Sequence, residues 1–302
     1  DRNAPMPPIA WLLMFALSVL WGGSFLFNRI AVAEIPPLDL VAARLVLAAL
    51  ALLAVARLQG VALPAGRASW RDHLVQGILN NVVPFCLIVW GQKTIGAGLA
   101  SILNATTPIF GVVVAHVLTA DDKATPNRVA GVALGFLGVV VLIGVDALRG
   151  VGEHLTAELA ILGATFSYGL AAVWSRRFRG RPPIATATGQ LVSSAVVLTP
   201  LALVASPPWT LAMPSLGAIA AVVALAVLST ALAFVLFFDL STRVGPTDTT
   251  LVTFLIPPSA ILLSAVFLGE RLELQHLAGL ALIGLGLVAV DGRLFERLRT
   301  PR

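Results

Sequence analysis

Long apolar stretches separated by short polar gaps run along the whole 302-residue sequence. Hydrophobic residues make up 58% of the chain and charged residues only 12%, about half of the roughly 25% that is typical of soluble domains. So little charge cannot cover the surface of a water-soluble fold of this size. A stretch of about 20 apolar residues, in contrast, has the length of a helix that crosses a bilayer. The sequence therefore predicts an all-α integral membrane protein.

Ten of the apolar stretches are long enough to be transmembrane helices, and Gly or Pro residues interrupt the gaps between them. The predicted spans are 9–29, 39–57, 72–91, 97–118, 127–145, 158–177, 183–204, 215–238, 247–268 and 275–291. No gap is long enough for an additional soluble domain. Because ten is an even number, both termini are predicted on the same side of the membrane.

Lys and Arg residues are divided unequally between the two sides of this topology. With a cytoplasmic N-terminus, the opposite side holds only Arg29, Arg44, Lys93, Arg149 and Arg271, and the other fifteen of the twenty are cytoplasmic. Cytoplasmic loops accumulate Lys and Arg. The distribution predicts that both termini are cytoplasmic, and it accounts for the net charge of +5 without a nucleic-acid partner.

The two halves of the chain share Gly, Pro, aromatic and charged residues in the same order. The matching pairs include Trp21-Gly22 with Tyr168-Gly169, Pro36-Pro37 with Pro182-Pro183, Gly96 with Gly245, Pro108 with Pro257, and Gly131 and Gly138 with Gly279 and Gly286. A unit of five helices is odd, so the second copy enters the membrane from the opposite side. The sequence thus predicts ten transmembrane helices in two inverted five-helix repeats, 1–148 and 149–302, around a central cavity. Inverted repeats are common among secondary transporters.

Several motifs in these repeats resemble the drug/metabolite transporter superfamily, specifically its EamA type. They are the Leu-Trp-Gly-Gly-Ser-Phe run at 20–25, Pro36-Pro37 with Arg44 following, the Gly96 to Pro108 stretch, Pro257-Pro258, and Leu268-Gly269-Glu270 before the last span. The resemblance covers essentially the whole chain, although the first half departs from it at Ala120-Asp121-Asp122. It implies a bacterial inner-membrane carrier that exports amino acids or other metabolites, similar to the YddG-like amino-acid exporters.

Polar and aromatic side chains near the middle of the spans are candidates for substrate binding, because polar groups are unfavourable against lipid. These candidates are Trp21, Ser24, Asn28, Asn80, Asn81, Asn104, Thr107, Tyr168, Trp174, Gln190 and Thr253. Ser and Thr also hydrogen-bond within their own helix or between helices, and aromatic residues also pack helices together. Pro108 and Pro257 occupy matching positions and are predicted hinges, because proline interrupts helical hydrogen bonding.

The charge pattern within the spans bears on the substrate. Arg44, about one turn inside the second span, either extends to the membrane interface, which is the favoured interpretation, or faces the cavity and attracts a carboxylate. No Asp, Glu or Lys lies in the central third of a predicted span. The cavity is therefore expected to take neutral or zwitterionic solutes, with amino acids first. His116 and Asp239 are the candidates for a proton relay, and a facilitator without proton coupling is the simpler hypothesis.

Other classes of protein fit the sequence less well. A multidrug or other metabolite efflux carrier is the nearest alternative, and a channel lacks a ring of charge or a carbonyl filter motif. A membrane enzyme needs a metal-binding acid cluster or a nucleophile with its base. Asp121-Asp122 is the only acidic pair, so no catalytic residue, metal or cofactor is predicted. The expected partners are a small-molecule substrate and the lipid bilayer, and the choice between monomer and homodimer stays open.

Overall fold

The computed structural model describes residues 7–95, 97–144, 148–149, 151–206, 212–259, 262 and 274–291. Helices and short connections account for this part of the chain, which contains no β-strand. The helices are α1 Pro8–Val32, α2 Pro37–Leu58, α3 Arg67–Gly91, α4 Ala97–Asn104, α5 Thr107–Leu118, α6 Pro126–Ile143, α7 Leu155–Trp174, α8 Pro183–Ala205, α9 Leu216–Val244, α10 Pro246–Thr249 and α11 Leu274–Asp291. Gly96, Leu268-Gly269-Glu270 and the last part of the predicted span 247–268 lie outside the described residues.

Several helices have the length and composition of transmembrane segments. Six stretches, which include α2, α3, α6, α7, α8 and α9, are long and apolar enough to cross a membrane, and shorter apolar helices cover 8–24, 102–118 and 274–290. Large apolar side chains such as Leu12 and Leu137 are more than half exposed, as suits contact with lipid. The all-α prediction is confirmed for the described residues, whereas the count of ten spans and the inverted arrangement stay predictions.

Proline and glycine mark many of the helix boundaries. Proline occupies the first position of α2, α6, α8 and α10, where its fixed φ suits the helix and its missing N–H leaves no bond unmade. Gly144 and Gly245 follow the ends of α6 and α9 with φ of +97° and +89°. Side chains rarely adopt such positive φ, so glycine ends these helices without strain.

Helices α6 and α11 approach each other through glycines. A Cβ atom added to Gly286 would lie 2.6 Å from the backbone nitrogen of Gly135 and 2.7 Å from the carbonyl oxygen of Gly131. One added to Gly138 would lie 2.7 Å from the backbone nitrogen of Ile283. The two backbones are therefore in near contact, which small residues permit in membrane helices.

Contacts between helix connections gather at two ends of the bundle. At one, which we call the Asp122 end, Thr247 Oγ1 in the first turn of α10 donates a 2.8 Å hydrogen bond to Asp122 Oδ2 in the α5–α6 connection. At the other, which we call the Glu34 end, the Glu34 carboxylate in the α1–α2 connection accepts hydrogen bonds from the backbone N and the Oγ of Ser215, both at 2.6 Å. The main hydrophobic core lies between the two ends and joins residues from both halves of the chain.

In the part of the chain that the structure describes, irregular backbone occurs in four segments between these ends. A π-helical segment interrupts α3 at Ile78–Val82, and another interrupts α9 at Val227–Leu232. The predicted span 97–118 breaks at residues 105–106, between α4 and α5, and a 3-10 segment, Thr250–Phe254, follows α10. Single-turn π segments within α-helices occur frequently at functional sites.

Candidate functional site

A central cavity lies beside these irregular segments. Its empty space is about 1020 Å³, counted with the part that is open to solvent. The lining residues come from both halves of the chain and are Trp21, Ser24, Asn28, Arg44, Asn80, Phe85, Ile88, Val89, Gln92, Ala100, Asn104, Thr107, Tyr168, Ala172, Phe234, Phe237, Thr250, Val252, Thr253 and Ile256. A concave, mostly apolar wall with a few converging polar groups is the usual form of a small-molecule site.

Eight of the eleven predicted binding residues are brought together in this cavity. They are Trp21, Ser24, Asn28, Asn80, Asn104, Thr107, Tyr168 and Thr253. The hydroxyl groups of Ser24, Thr107 and Thr253 donate to backbone carbonyls three residues earlier, at 2.6–2.8 Å. Because each hydroxyl proton is already donated within the helix, the hydroxyl oxygens can only accept further hydrogen bonds. Direct contact of the eight residues with a substrate stays a prediction.

Asn81 and Gln190 lie behind the cavity wall and are fully buried. Asn80 Nδ2 donates to Gln190 Oε1 at 3.3 Å, and Gln190 Nε2 donates to Asn81 Oδ1 at 3.1 Å. Asn81 Nδ2 in turn donates to Ser194 Oγ at 2.8 Å. The amides thus bond α3 to α8, and substrate contact by Asn81 or Gln190 stays a prediction that their placement does not favour.

Trp174 is also outside the cavity lining. Its indole Nε1 donates a 3.0 Å hydrogen bond to the carbonyl oxygen of Asp72, and the guanidinium of Arg177 lies 4.0 Å from its ring centroid. These contacts attach the end of α7 to α3. A substrate-binding role for Trp174 likewise stays a prediction.

The two predicted hinge prolines stand just after breaks in the helices. Pro108 occupies the second position of α5, directly after the break at residues 105–106. Pro257 follows the 3-10 segment Thr250–Phe254, where the chain becomes helical again over residues 256–259. At the start of a helix, proline removes no helical hydrogen bond. The backbone at these positions is therefore broken rather than kinked, and hinge motion there stays a prediction.

Aromatic rings from α9 form part of the cavity wall and were not predicted from sequence. The Trp21 ring lies 6.3 Å from the Phe234 centroid and 5.9 Å from the Phe237 centroid. Phe234 and Phe237 pack edge to face at 6.1 Å. Aromatic rings give a large and rigid apolar surface. Their i, i+3 spacing was the available signal, but it also fits a lipid-facing or core stripe.

Arg44 occupies a position that differs from the favoured interpretation. Arg44 is only 7% exposed and lines the cavity, so the expectation that it extends to the interface is wrong. Arg44 Nε donates to Thr230 Oγ1 at 2.6 Å, and Nη2 donates to the carbonyl oxygen of Ser229 at 3.4 Å. The guanidinium carbon lies 4.4 Å from the Phe85 ring centroid. The cavity therefore has a fixed positive charge in its wall.

Charged side chains join the two halves at the Asp122 end. Arg128 Nη1 is 2.7 Å from Asp122 Oδ1, and its Nη2 pairs with Asp248. Arg176, after the end of α7, pairs with Asp121 in the α5–α6 connection. Two other lining residues lie towards the Glu34 end: Asn28 is about one turn before the end of α1, and Gln92 directly follows α3. The cavity thus extends towards the Glu34 end, and ion pairs connect the helices at the Asp122 end.

The two candidates for a proton relay stand apart from the cavity lining. His116 is exposed, and its Nδ1 accepts a 3.1 Å hydrogen bond from the backbone nitrogen of Ala124. Asp239 pairs with Arg243 one turn further along α9, at 3.2 Å. Neither side chain has a place in the wall of the cavity as described.

The described residues form an apolar helical bundle with a cavity lined by polar and aromatic side chains, an arrangement typical of integral membrane proteins that transport small molecules. The chain belongs to the EamA-like transporter family, whose sequence model matches it twice, over residues 8–144 and 155–290. The predicted family resemblance is thereby confirmed. Transport is the activity that this family's name describes.

Individual relatives cover nearly the full chain. The uncharacterized transporter YoaV of Bacillus subtilis is 23% identical over 91% of this chain and 94% of its own. The uncharacterized inner membrane transporter YedA of Escherichia coli K12 is 26% identical over 92% and 89%. A probable terminal-alkyne amino-acid exporter of Streptantibioticus cattleyicolor is 28% identical over 96% and 95%. A crystal structure with 22% identity, a TM-score of 0.78 and coverage of 98% and 99% shows the same fold.

Proposed function

We propose that the protein carries small neutral or zwitterionic metabolites, amino acids first among them, across a bacterial inner membrane. The observation that supports this most directly is the central cavity, in which amide and hydroxyl groups stand beside aromatic rings. Polar groups of this kind suit the backbone of an amino acid, and the rings of Trp21, Phe234 and Phe237 suit an apolar side chain. The similarity to a probable amino-acid exporter agrees with this assignment.

Alternating access is the proposed mechanism, with two inverted five-helix repeats, 1–148 and 149–302. The two family matches divide the chain near this boundary. Arg44 on α2 bonds to Ser229 and Thr230 in the π segment of α9, and Gln190 on α8 bonds to Asn80 and Asn81 in the π segment of α3. Arg44 and Gln190 occupy matching positions in the two repeats, and so do the pairs Asn80-Asn81 and Ser229-Thr230. The reciprocal bonding supports two related units that move against each other.

Orientation gives a direct test of the inverted arrangement. In a Cys86→Ser background, one cysteine is placed at exposed Ala62 and, separately, one at exposed Val151, and intact cells are treated with a membrane-impermeant maleimide. With a cytoplasmic N-terminus, we expect labelling at position 151 and none at position 62 until the cells are opened. Labelling of both positions from outside contradicts the topology.

Transport is tested with purified protein in proteoliposomes and a panel of labelled amino acids, with and without a pH gradient. A facilitator gives saturable uptake without a pH gradient. If a pH gradient alone drives uptake against the concentration gradient of the amino acid, the facilitator hypothesis is wrong. Trp21→Ala removes a ring from the cavity wall and is expected to weaken uptake. The matched control is Trp90→Ala, since Trp90 is 51% exposed and lies outside the lining.

Efflux of apolar drugs is the second candidate, and the aromatic wall around Trp21 favours it. The fixed charge of Arg44 works against cationic drugs, because two like charges in a cavity of low polarity repel strongly. Competition by neutral and cationic drugs against labelled amino-acid uptake separates the two functions. If drugs are carried and no amino acid is, the amino-acid assignment fails and the carrier class stands.

A further inference from the structure

We propose that Arg44 binds the carboxylate of the transported solute, so that the carrier selects molecules with one free carboxylate. This inference deepens the proposed function and rests on it for the role of the cavity. Arg44 is almost completely buried, and no carboxylate of the described residues pairs with it. A buried charge without a partner is strongly unfavourable, and it is normally paired or neutralised.

The contacts of Arg44 orient its guanidinium group without neutralising it. Nε is bonded to Thr230 and Nη2 to the carbonyl of Ser229, and the flat face lies against Phe85. Both acceptors are neutral, and neither bond uses Nη1. A guanidinium held on one edge and one face presents its remaining N–H groups in a fixed direction. Such a fork matches the two oxygens of a carboxylate.

The corresponding residue in the second half makes the contrast clear. Gln190 stands 146 positions after Arg44, as Pro182-Pro183 stand after Pro36-Pro37. Gln190 is neutral and 0% exposed, and its side-chain amide is hydrogen-bonded to Asn80 and Asn81. A neutral amide thus suffices to connect α8 to a π segment. The charge of Arg44 exceeds what the same connection between α2 and α9 requires, and only Arg44 of the two reaches the cavity.

The balance of charge in the cavity limits the anion to a single carboxylate group. Arg44 is the only formally charged side chain among the described residues that line it. One cation matches one carboxylate, whereas a phosphate dianion brings surplus negative charge into a largely apolar site. Asn104 also lines the cavity, and its Oδ1 is buried without a hydrogen-bond partner in the described structure. An amide oxygen is a suitable acceptor for the ammonium group of a zwitterion.

The test measures binding to the detergent-purified full chain by ligand-induced thermal stabilisation. The four probes are L-leucine, L-leucinamide, 4-methylpentanoate and 4-methylpentanamide, which share one apolar side chain. We expect the two carboxylates to bind wild-type protein and the two amides to bind about 10- to 100-fold more weakly, the usual effect of losing a charge-assisted hydrogen bond. Equal binding of carboxylates and amides overturns the proposal, as does a failure of both carboxylates to bind.

The variants test whether Arg44 is responsible. Arg44→Gln is expected to lose the preference for carboxylates, and Arg44→Lys to keep part of it. The control Arg57→Gln removes an exposed charge from the same helix and is expected to keep the full preference for carboxylates. A carboxylate preference that persists in Arg44→Gln overturns the proposal. If Arg44→Gln does not fold, the comparison of carboxylates with amides on the wild type and on Arg44→Lys decides.

The melting temperature of Arg44→Gln distinguishes a carboxylate-binding Arg44 from one that only stabilises the fold. Without ligand, Arg44→Gln is expected to melt no lower than wild type, because the substitution removes an unpaired buried charge. A structural role predicts a lower melting temperature with the ligand-induced shift unchanged, and that result overturns the proposal. If 4-methylpentanoate binds through Arg44 but no amino acid is transported, the carboxylate site stands and the amino-acid assignment fails.

Discussion

Asn81 Nδ2 and Ser194 Oγ are 2.8 Å apart, and this hydrogen bond joins α3 to α8 behind the cavity wall. Both residues are 0% exposed, and Asn81 Oδ1 accepts a second hydrogen bond from Gln190. The π segment Ile78–Val82 places Asn80 on the cavity and Asn81 in this buried connection. Adjacent residues of the same type therefore have different surroundings.

Asn81→Ala is expected to destabilise the protein by roughly 1–3 kcal/mol, because it leaves the buried amide of Gln190 without its acceptor. The measurement is the melting temperature of the detergent-purified variant. Asn28→Ala is the matched comparison, since Asn28 lines the cavity and its side chain has no hydrogen bond to the described residues. That variant is expected to keep its stability and lose transport. A lower melting temperature for Asn28→Ala together with an unchanged one for Asn81→Ala contradicts the assignment of Asn81 to the buried connection and Asn28 to the cavity.

The close packing of α6 against α11 predicts unequal effects of two alanine substitutions on one helix. Gly286→Ala puts a Cβ atom 2.6 Å from the backbone nitrogen of Gly135, and backbone cannot move aside as a side chain does. Overpacking of this kind costs about 1–3 kcal/mol or more. Gly284→Ala, two residues away, meets nothing within 4 Å and is expected to be neutral. Thermal unfolding of both variants checks this, and equal melting temperatures contradict the helix contact.

Several helix boundaries and the polar character of the cavity could be predicted from sequence, whereas the breaks within the predicted spans 97–118 and 247–268 could not. The predicted span 183–204 matches α8 at Pro183–Ala205, since apolar length and an initial proline are local signals. The position of Arg44 could not be predicted, because its partners Ser229 and Thr230 lie about 185 residues further along the chain. Hydrophobicity also fails to identify the inward face when lipid and core are both apolar.

The connection between Glu34 and Ser215 predicts a pH effect at the Glu34 end. Two hydrogen bonds from Ser215, first its side chain and then its backbone, lower the pKa of the exposed Glu34 carboxyl. A lowered folded-state pKa means stabilisation that is complete above the ordinary pKa of glutamate and is lost as pH falls through the lowered value. The advantage of wild type over Glu34→Gln should therefore be present at neutral pH and fade in acid. Melting curves of wild type and Glu34→Gln from neutral to acidic pH check this prediction. A difference in melting temperature that does not change with pH contradicts it.

The ion pairs at the Asp122 end predict how the cavity is closed on that side. Arg128 bonds to Asp122 before α6 and to Asp248 on α10, so it connects the two halves of the chain. In Arg128→Gln both carboxylates lose their ion pair with Arg128, and separation of the helices at this end becomes less unfavourable. We expect this variant to populate a form in which the Asp122 end is open.

Distances between spin labels at Ala120 and Thr242, two exposed positions near this end, measure such opening in a Cys86→Ser background. Wild type is expected to give mainly a short distance, and Arg128→Gln a broader distribution that extends to longer ones. Arg71→Gln is the control, because Arg71 is 66% exposed and its ion-pair partner Asp72 is the next residue in the chain. If Arg128→Gln and Arg71→Gln both retain the wild-type distribution, the Arg128 ion pairs do not hold this end closed, and another contact, such as that of Arg176 with Asp121, is the one to disrupt next.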